Sequence, residues 1–166
     1  MPVNSFLQWL QDSSFSAALR DSTWAEPVIE TIHVLTLTVF LGFTVLLDLR
    51  LLGFAMRHRR VSEVFEELNP PIIGAFLMML ATGALLFCGD PVAFYGTIFF
   101  RAKMIMLILA VLNILVFSST LGRRIGQWEQ DPNTPAMAKL AAVLSLVLWA
   151  AIVAAGRAIA YAVPPP

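Results

Sequence analysis

Four stretches almost free of charge divide this chain: Val28–Leu47, interrupted by Glu30 and His33, then Pro71–Gly89, Met104–Gly122 and Leu140–Gly156. Each is close to a bilayer crossing in length, since ~30 Å of hydrocarbon takes roughly 20 helical residues. Only helices or closed barrels satisfy their backbone hydrogen bonds there. The pattern predicts an all-α, four-helix transmembrane bundle with spans near residues 24–49, 71–89, 98–122 and 138–162. With such short connections the chain forms one integral membrane domain. The first span starts near Trp24, because Thr23-Trp24-Ala25-Glu26 has capping-box spacing and Pro27 is tolerated in a first turn.

Between and before the spans the pattern changes. Phe6, Leu7, Trp9 and Leu10, then Phe15, Ala18 and Leu19, stand among glutamines, serines and Asp12, which predicts one or two short interfacial helices over about residues 4–20. After the first span, Val61, Val64, Phe65 and Leu68 give an amphipathic helix lying on the membrane and ending before Pro70-Pro71. Gly89-Asp90-Pro91 opens a short turn-rich connection, and Asp131-Pro132-Asn133-Thr134-Pro135 is a plain loop. Small residues, including Gly74, Gly83 and Gly156, suit close helix packing.

Composition agrees: 58% of residues are hydrophobic and 13% charged, against about 25% in a soluble domain. The lipid bilayer is thus the first partner, and a formal charge of zero argues against nucleic acid. One cysteine, Cys88, excludes an internal disulfide and a multi-cysteine metal cluster. The opening residues lack a basic n-region and a continuous apolar h-region, so they are expected to stay on the mature protein. Of the 11 basic residues, Arg50, Arg57, Arg59, Arg60, Arg123, Arg124 and Lys139 fall on one side, and Arg20, Arg101, Lys103 and Arg157 on the other. Basic residues near span ends stay cytoplasmic. Both termini are therefore expected outside, in the inner membrane of a bacterium.

Candidate chemistry rests on ionisable groups within the spans, which are expensive there and functional by default. At ~1.5 Å per residue, Glu30, His33, Lys103 and Arg157 reach one layer below the outer surface from three different spans. Against Glu30, the cations Lys103, Arg157 and interfacial Arg101 leave about two positive charges in surplus. That surplus suits a dicarboxylate such as the propionates of haem b, with His33 as axial ligand; a quinone headgroup or lipid phosphate could use the same groups. The competing reading is a Glu30–Lys103/Arg157 network that only fixes helix packing. His58 lies 25 residues from His33, roughly 37 Å along a helix, so two histidines of one chain cannot share an iron. The second ligand would be Met106, Met104 or Lys103, or His33 of a second copy in a homo-oligomer. Met78, Met79, Met104 and Met106 with Cys88 and His33 offer an alternative copper(I) site, and a chain without cofactor would be an accessory subunit for a membrane or periplasmic protein. Asn113 needs a partner across the bundle, and Asp48 is expected to pair with Arg123 or Arg124 at the inner interface. No nucleotide-binding loop, paired catalytic carboxylates or serine triad is present.

Ile32-His33-Val34-Leu35, Phe40-Leu41-Gly42 and Asp48-Leu49-Arg50-Leu51-Leu52-Gly53 together resemble an uncharacterised bacterial family of four-span membrane proteins over most of the chain. More distantly, the first-span histidine with Phe-Leu-Gly, and the later Phe100-Arg101-Ala102-Lys103, resemble the CopD copper-resistance proteins and the HemJ-type protoporphyrinogen oxidases. The latter resemblance implies haem b binding, with His33 and Lys103 as the functional residues. HemJ-type chains carry a further histidine after the lysine, where this chain has Asn113.

Overall fold

The computed structural model describes residues 2–129 and 134–162; most of the loop at Asp131-Pro132-Asn133 therefore lies outside the described residues. Four long helices carry the apolar stretches: α3 (Ala25–Leu52), α4 (Val61–Gly89), α6 (Ile98–Ser119) and α8 (Ala136–Ala162). Each is long and apolar enough to cross a membrane. Short helices join them: α1 (Pro2–Gln11) and α2 (Ser14–Asp21) before α3, α5 (Pro91–Gly96) between α4 and α6, and α7 (Ile125–Trp128) after a single 3₁₀ turn.

In the bundle α3 packs on α4 and α8, and α8 packs on α6, whereas α4 and α6 scarcely approach each other. At the end that carries both termini, this wide edge is bridged by Phe87 of α4 stacked on Phe100 of α6, centroids 5.0 Å apart. One stripe of α3, spaced by threes and fours, faces inward: His33, Phe40, Thr44, Asp48 and Leu51. At mid-height Phe40 meets the edge of Trp149 at 4.5 Å and lies 5.6 Å from Phe76, forming an apolar layer with Met79, Ala110 and Ile152. Large apolar side chains such as Leu35, Leu77, Ile108 and Val147 point outward. A surface of this kind is solvated by lipid, and the protein is a multi-pass membrane protein.

The elements follow local chemistry. Thr97 caps α6, accepting from the Phe100 N–H at 3.2 Å, and Asp90 caps α5 through the Ala93 N–H at 3.1 Å. Gly53 ends α3 in the left-handed region at φ 79°, where a side chain is strained. Ahead of α3 it is Ser22, not Thr23, that takes up a free amide, from Ala25 at 3.2 Å.

The amphipathic segment from Val61 is not a separate surface helix. It is the first part of α4, which runs through Pro70 and Pro71 without a break. Two prolines free the carbonyls of Glu66 and Glu67, four residues back. Both residues are exposed, a position where a freed carbonyl can be solvated at low cost. The N-terminus of α4 is held from across the bundle: the Glu129 carboxylate accepts from Ser62 Oγ at 2.6 Å and from the Ser62 N–H at 3.1 Å. These bonds, side chain first, with Arg60 and Arg50 nearby, hold Glu129 below the usual carboxylate range. At the other end α1 and α2 fold over the bundle. The buried Ser16 hydroxyl lies 2.6 Å from the Cys88 carbonyl, and Arg20 donates to Gly89 at 2.8 Å.

Candidate functional site

His33 is directed from α3 toward α4, where its Nδ1 lies 2.8 Å from Thr82 Oγ1. The Thr82 hydroxyl has one proton and sits 2.9 Å from the Met78 carbonyl and 3.2 Å from that of Met79, the usual back-bonding of a helical threonine. With that proton kept on its own helix, Thr82 accepts from His33, Nδ1 carries the hydrogen and Nε2 of the neutral ring keeps a lone pair; were the hydroxyl to turn to Nδ1 the roles would reverse. The Met79 carbonyl is a further acceptor beside the ring.

Glycine makes the approach feasible. A Cβ built on Gly83 would stand 3.2 Å from His33 Cε1, so the ring rests directly against the backbone of α4. Lys103 is placed similarly by α6: its Nζ would lie 3.5 Å from a Cβ on Gly156 of α8. Lys103 and Glu30 are the charged groups near enough to act on the His33 ring.

The remaining predicted residues lie further out. Glu30 is exposed on the outer side of α3, and Arg101 is exposed at the start of α6. Arg157 is also exposed and turns along its own helix, with a nitrogen 3.3 Å from the Tyr161 hydroxyl and its guanidinium 5.6 Å from the ring centroid. Met106 is half-buried against the aromatic layer below. The Glu30–Lys103/Arg157 network does not form as ion pairs: among the described residues the pair within 4.0 Å is Arg59–Glu67, at 2.6 Å on the opposite end. The layer thus resolves into an inner pair, His33 and Lys103, and an outer ring of Glu30, Arg101 and Arg157.

Three residues of this site were not singled out for chemistry in the sequence. Thr82 is one hydroxyl in an apolar run, and Gly83 and Gly156 read only as packing residues. The available signal was the adjacent Thr82-Gly83 pair at the same depth as His33. Asn113 does find its partner across the bundle, donating to the Ala141 carbonyl of α8 at 2.9 Å. Asp48 does not pair with Arg123 or Arg124; it is buried between helices with Ser145 of α8 beside its carboxyl.

Fold and site together define a four-span membrane protein with an intramembrane histidine and lysine near its terminal end. The chain belongs to a family of unknown function, DUF6644, whose sequence profile matches residues 12–162. No curated protein and no solved structure matches it.

Proposed function

We propose that this is a haem b-binding redox protein of the bacterial inner membrane, with His33 as an axial ligand and both termini outside. The observation that carries the reading is the 2.8 Å contact of His33 Nδ1 with Thr82, whose hydroxyl also bonds along its own helix; in the tautomer that arrangement suits, Nδ1–H is held and Nε2 is free for a ligand. A haem-ligating imidazole needs its other nitrogen held in this way. Haem iron already has four porphyrin nitrogens and requires one or two ligands from the protein, which suits a lone histidine. Gly83 lets the His33 ring seat against α4, α4 and α6 are joined at this end by the Phe87–Phe100 stack and little else, so entry of a flat group from lipid would part those rings, and Lys103 is a cation for a propionate. Bound haem would supply one-electron exchange at this depth; the chain's part is to hold, orient and keep water from it. The distant HemJ-type resemblance, through His33 and Lys103, points the same way.

Copper is less well served. A bare ion takes most of its ligands from the protein. Among the described residues no three His, Cys, Asp or Glu side chains come together. Met78 faces outward, and Met79 is packed in the aromatic layer. The orientation rests on the seven-to-four division of basic residues.

The test is protein purified in detergent from haem-replete cells, assayed for haem and copper in one sample. The reading predicts haem with a Soret band and no stoichiometric copper. Copper without haem favours the CopD-like alternative, and neither favours an accessory subunit for a membrane or periplasmic partner.

A further inference from the structure

Below the aromatic layer a second set of polar groups is enclosed. Asp48 is 6% exposed and its Oδ2 has no hydrogen-bond partner; Thr44, one turn away on the same face of α3, is 7% exposed and its hydroxyl is likewise unpartnered. The other threonines of α3, Thr31, Thr36 and Thr38, donate to the carbonyls of Pro27, Ile32 and Val34. Thr44 does not, so its hydroxyl remains available to the interface. Across from it α8 presents Ser145, buried beside the Asp48 carboxyl, and one turn further Trp149, whose Nε1 is buried without an acceptor.

Among the described residues Asp48 has no counter-charge within ion-pair distance. Arg50 is committed to the Arg59 carbonyl, at 2.6 and 3.0 Å, and Arg123 and Arg124 are exposed beyond the end of α6. On α4 the titratable groups Glu63, Glu66 and Glu67 are exposed, and on α8 Lys139 lies six residues nearer the helix start than Ser145. An intramembrane carboxylate without a partner is costly.

We propose that Asp48, Thr44 and Ser145 form an internal binding site for one small, hard monovalent cation, a sodium ion or a proton. One carboxylate matches one positive charge, whereas calcium-type sites gather several carboxylates. The remaining donors are hydroxyl oxygens, hard ligands that suit sodium and equally solvate a protonated carboxyl. Asp48 stands four residues from the end of α3, about 6 Å by helical rise, so the ion enters from the side of the bundle that carries Gly53. Phe40, Phe76 and Trp149 seal the site from His33, which lies 15 residues away on α3, about 22 Å.

The test is thermal unfolding of the full chain in detergent, first in sodium against choline chloride at equal ionic strength, then across pH in choline. A ligand bound only by the folded state raises stability with its concentration. A melting temperature that climbs to saturation with sodium assigns a sodium ion; one indifferent to sodium that falls as pH rises assigns a proton. Asp48→Asn, neutral and needing no cation, abolishes either dependence. Thr44→Val and Ser145→Ala keep the carboxylate and shift the midpoint of the dependence by about tenfold each, the effect of one lost ligand contact, which keeps the test decisive should Asp48→Asn not fold. A wild-type melting temperature flat in both titrations, or a dependence unchanged in all three variants, overturns the proposal.

Discussion

Replacing Thr82 by valine removes the one hydroxyl that fixes His33 while keeping shape and volume. In the wild-type protein His33 Nδ1 lies 2.8 Å from the hydroxyl of Thr82, which is 5% exposed, and in the Nδ1–H tautomer donates to it. In Thr82→Val that hydrogen keeps only the Met79 carbonyl nearby. A buried donor deprived of its partner costs about 1–3 kcal/mol, and at ~2–4 °C per kcal/mol for a chain of this size the melting temperature falls by roughly 2–12 °C. Thr82→Ser restores the acceptor and most of the loss. Nitrogen-15 NMR of the His33 ring reads the cause directly: the wild-type protein shows the Nδ1–H tautomer, and Thr82→Val shows a mixture or the Nε2–H form. If haem is bound, the same substitution weakens it by about 10–100-fold, as loss of an outer partner to a ligating histidine does. An Nε2–H tautomer in the wild-type protein, or a valine variant more stable than the serine one, would refute the reasoning.

Other substitutions probe the supports of the bundle. Gly83→Ala places a methyl 3.2 Å from His33 Cε1, whereas Gly74→Ala on the same helix meets nothing within 4 Å; thermal melts should rank Gly83→Ala below Gly74→Ala by about 0.5–1.5 kcal/mol, the cost of a displaced rotamer. Asn113→Leu loses the amide bond to Ala141 and should cost about 0.6 kcal/mol, at most ~1.7, by unfolding in mixed detergent. Glu129→Gln should lower the melting temperature at neutral pH, because Ser62 loses a charged acceptor. As the folded value of Glu129 lies below that of the unfolded chain, its contribution is complete above the ordinary carboxylate value of about 4.3 and is lost as pH falls through the folded one. The wild-type and Glu129→Gln melting curves should therefore converge in acid; a gap independent of pH would reject the charged cap.

The four spans were legible because a bilayer selects for them: runs of about 17–20 nearly uncharged residues suit a membrane crossing, and the positions of His33 and Lys103 within their runs indicated the end of the bundle they share. Facing was harder to read. Glu30 and His33 are three apart and seemed one cluster, yet the helix phase turns His33 to Thr82 and Glu30 to the outside. Arg157 took the nearest partner on its own helix, Tyr161, because an exposed guanidinium has no need of a distant carboxylate. The His33–Thr82 contact joins residues 49 apart, and hydropathy, which treats a threonine in an apolar run as filler, does not register it. Prolines at 70 and 71 read as a helix end, but α4 continues through them where the residues four back, Glu66 and Glu67, are exposed and a freed carbonyl costs little. Asp48 had the opposite fate: four residues from a helix end it looked interfacial, while its phase with Phe40 and Thr44 carries it inward.

Chemical rescue tests the role of His33 most directly. The measurement is the Soret spectrum of His33→Gly, purified from haem-replete cells, before and after imidazole is added. If the free Nε2 is the axial ligand, the glycine variant inserts and folds but lacks the wild-type spectrum, and imidazole filling the vacated space restores it, while His58→Ala remains like wild type throughout. A wild-type protein without haem, or a His33→Gly variant that keeps the full spectrum with no imidazole present, contradicts the assignment.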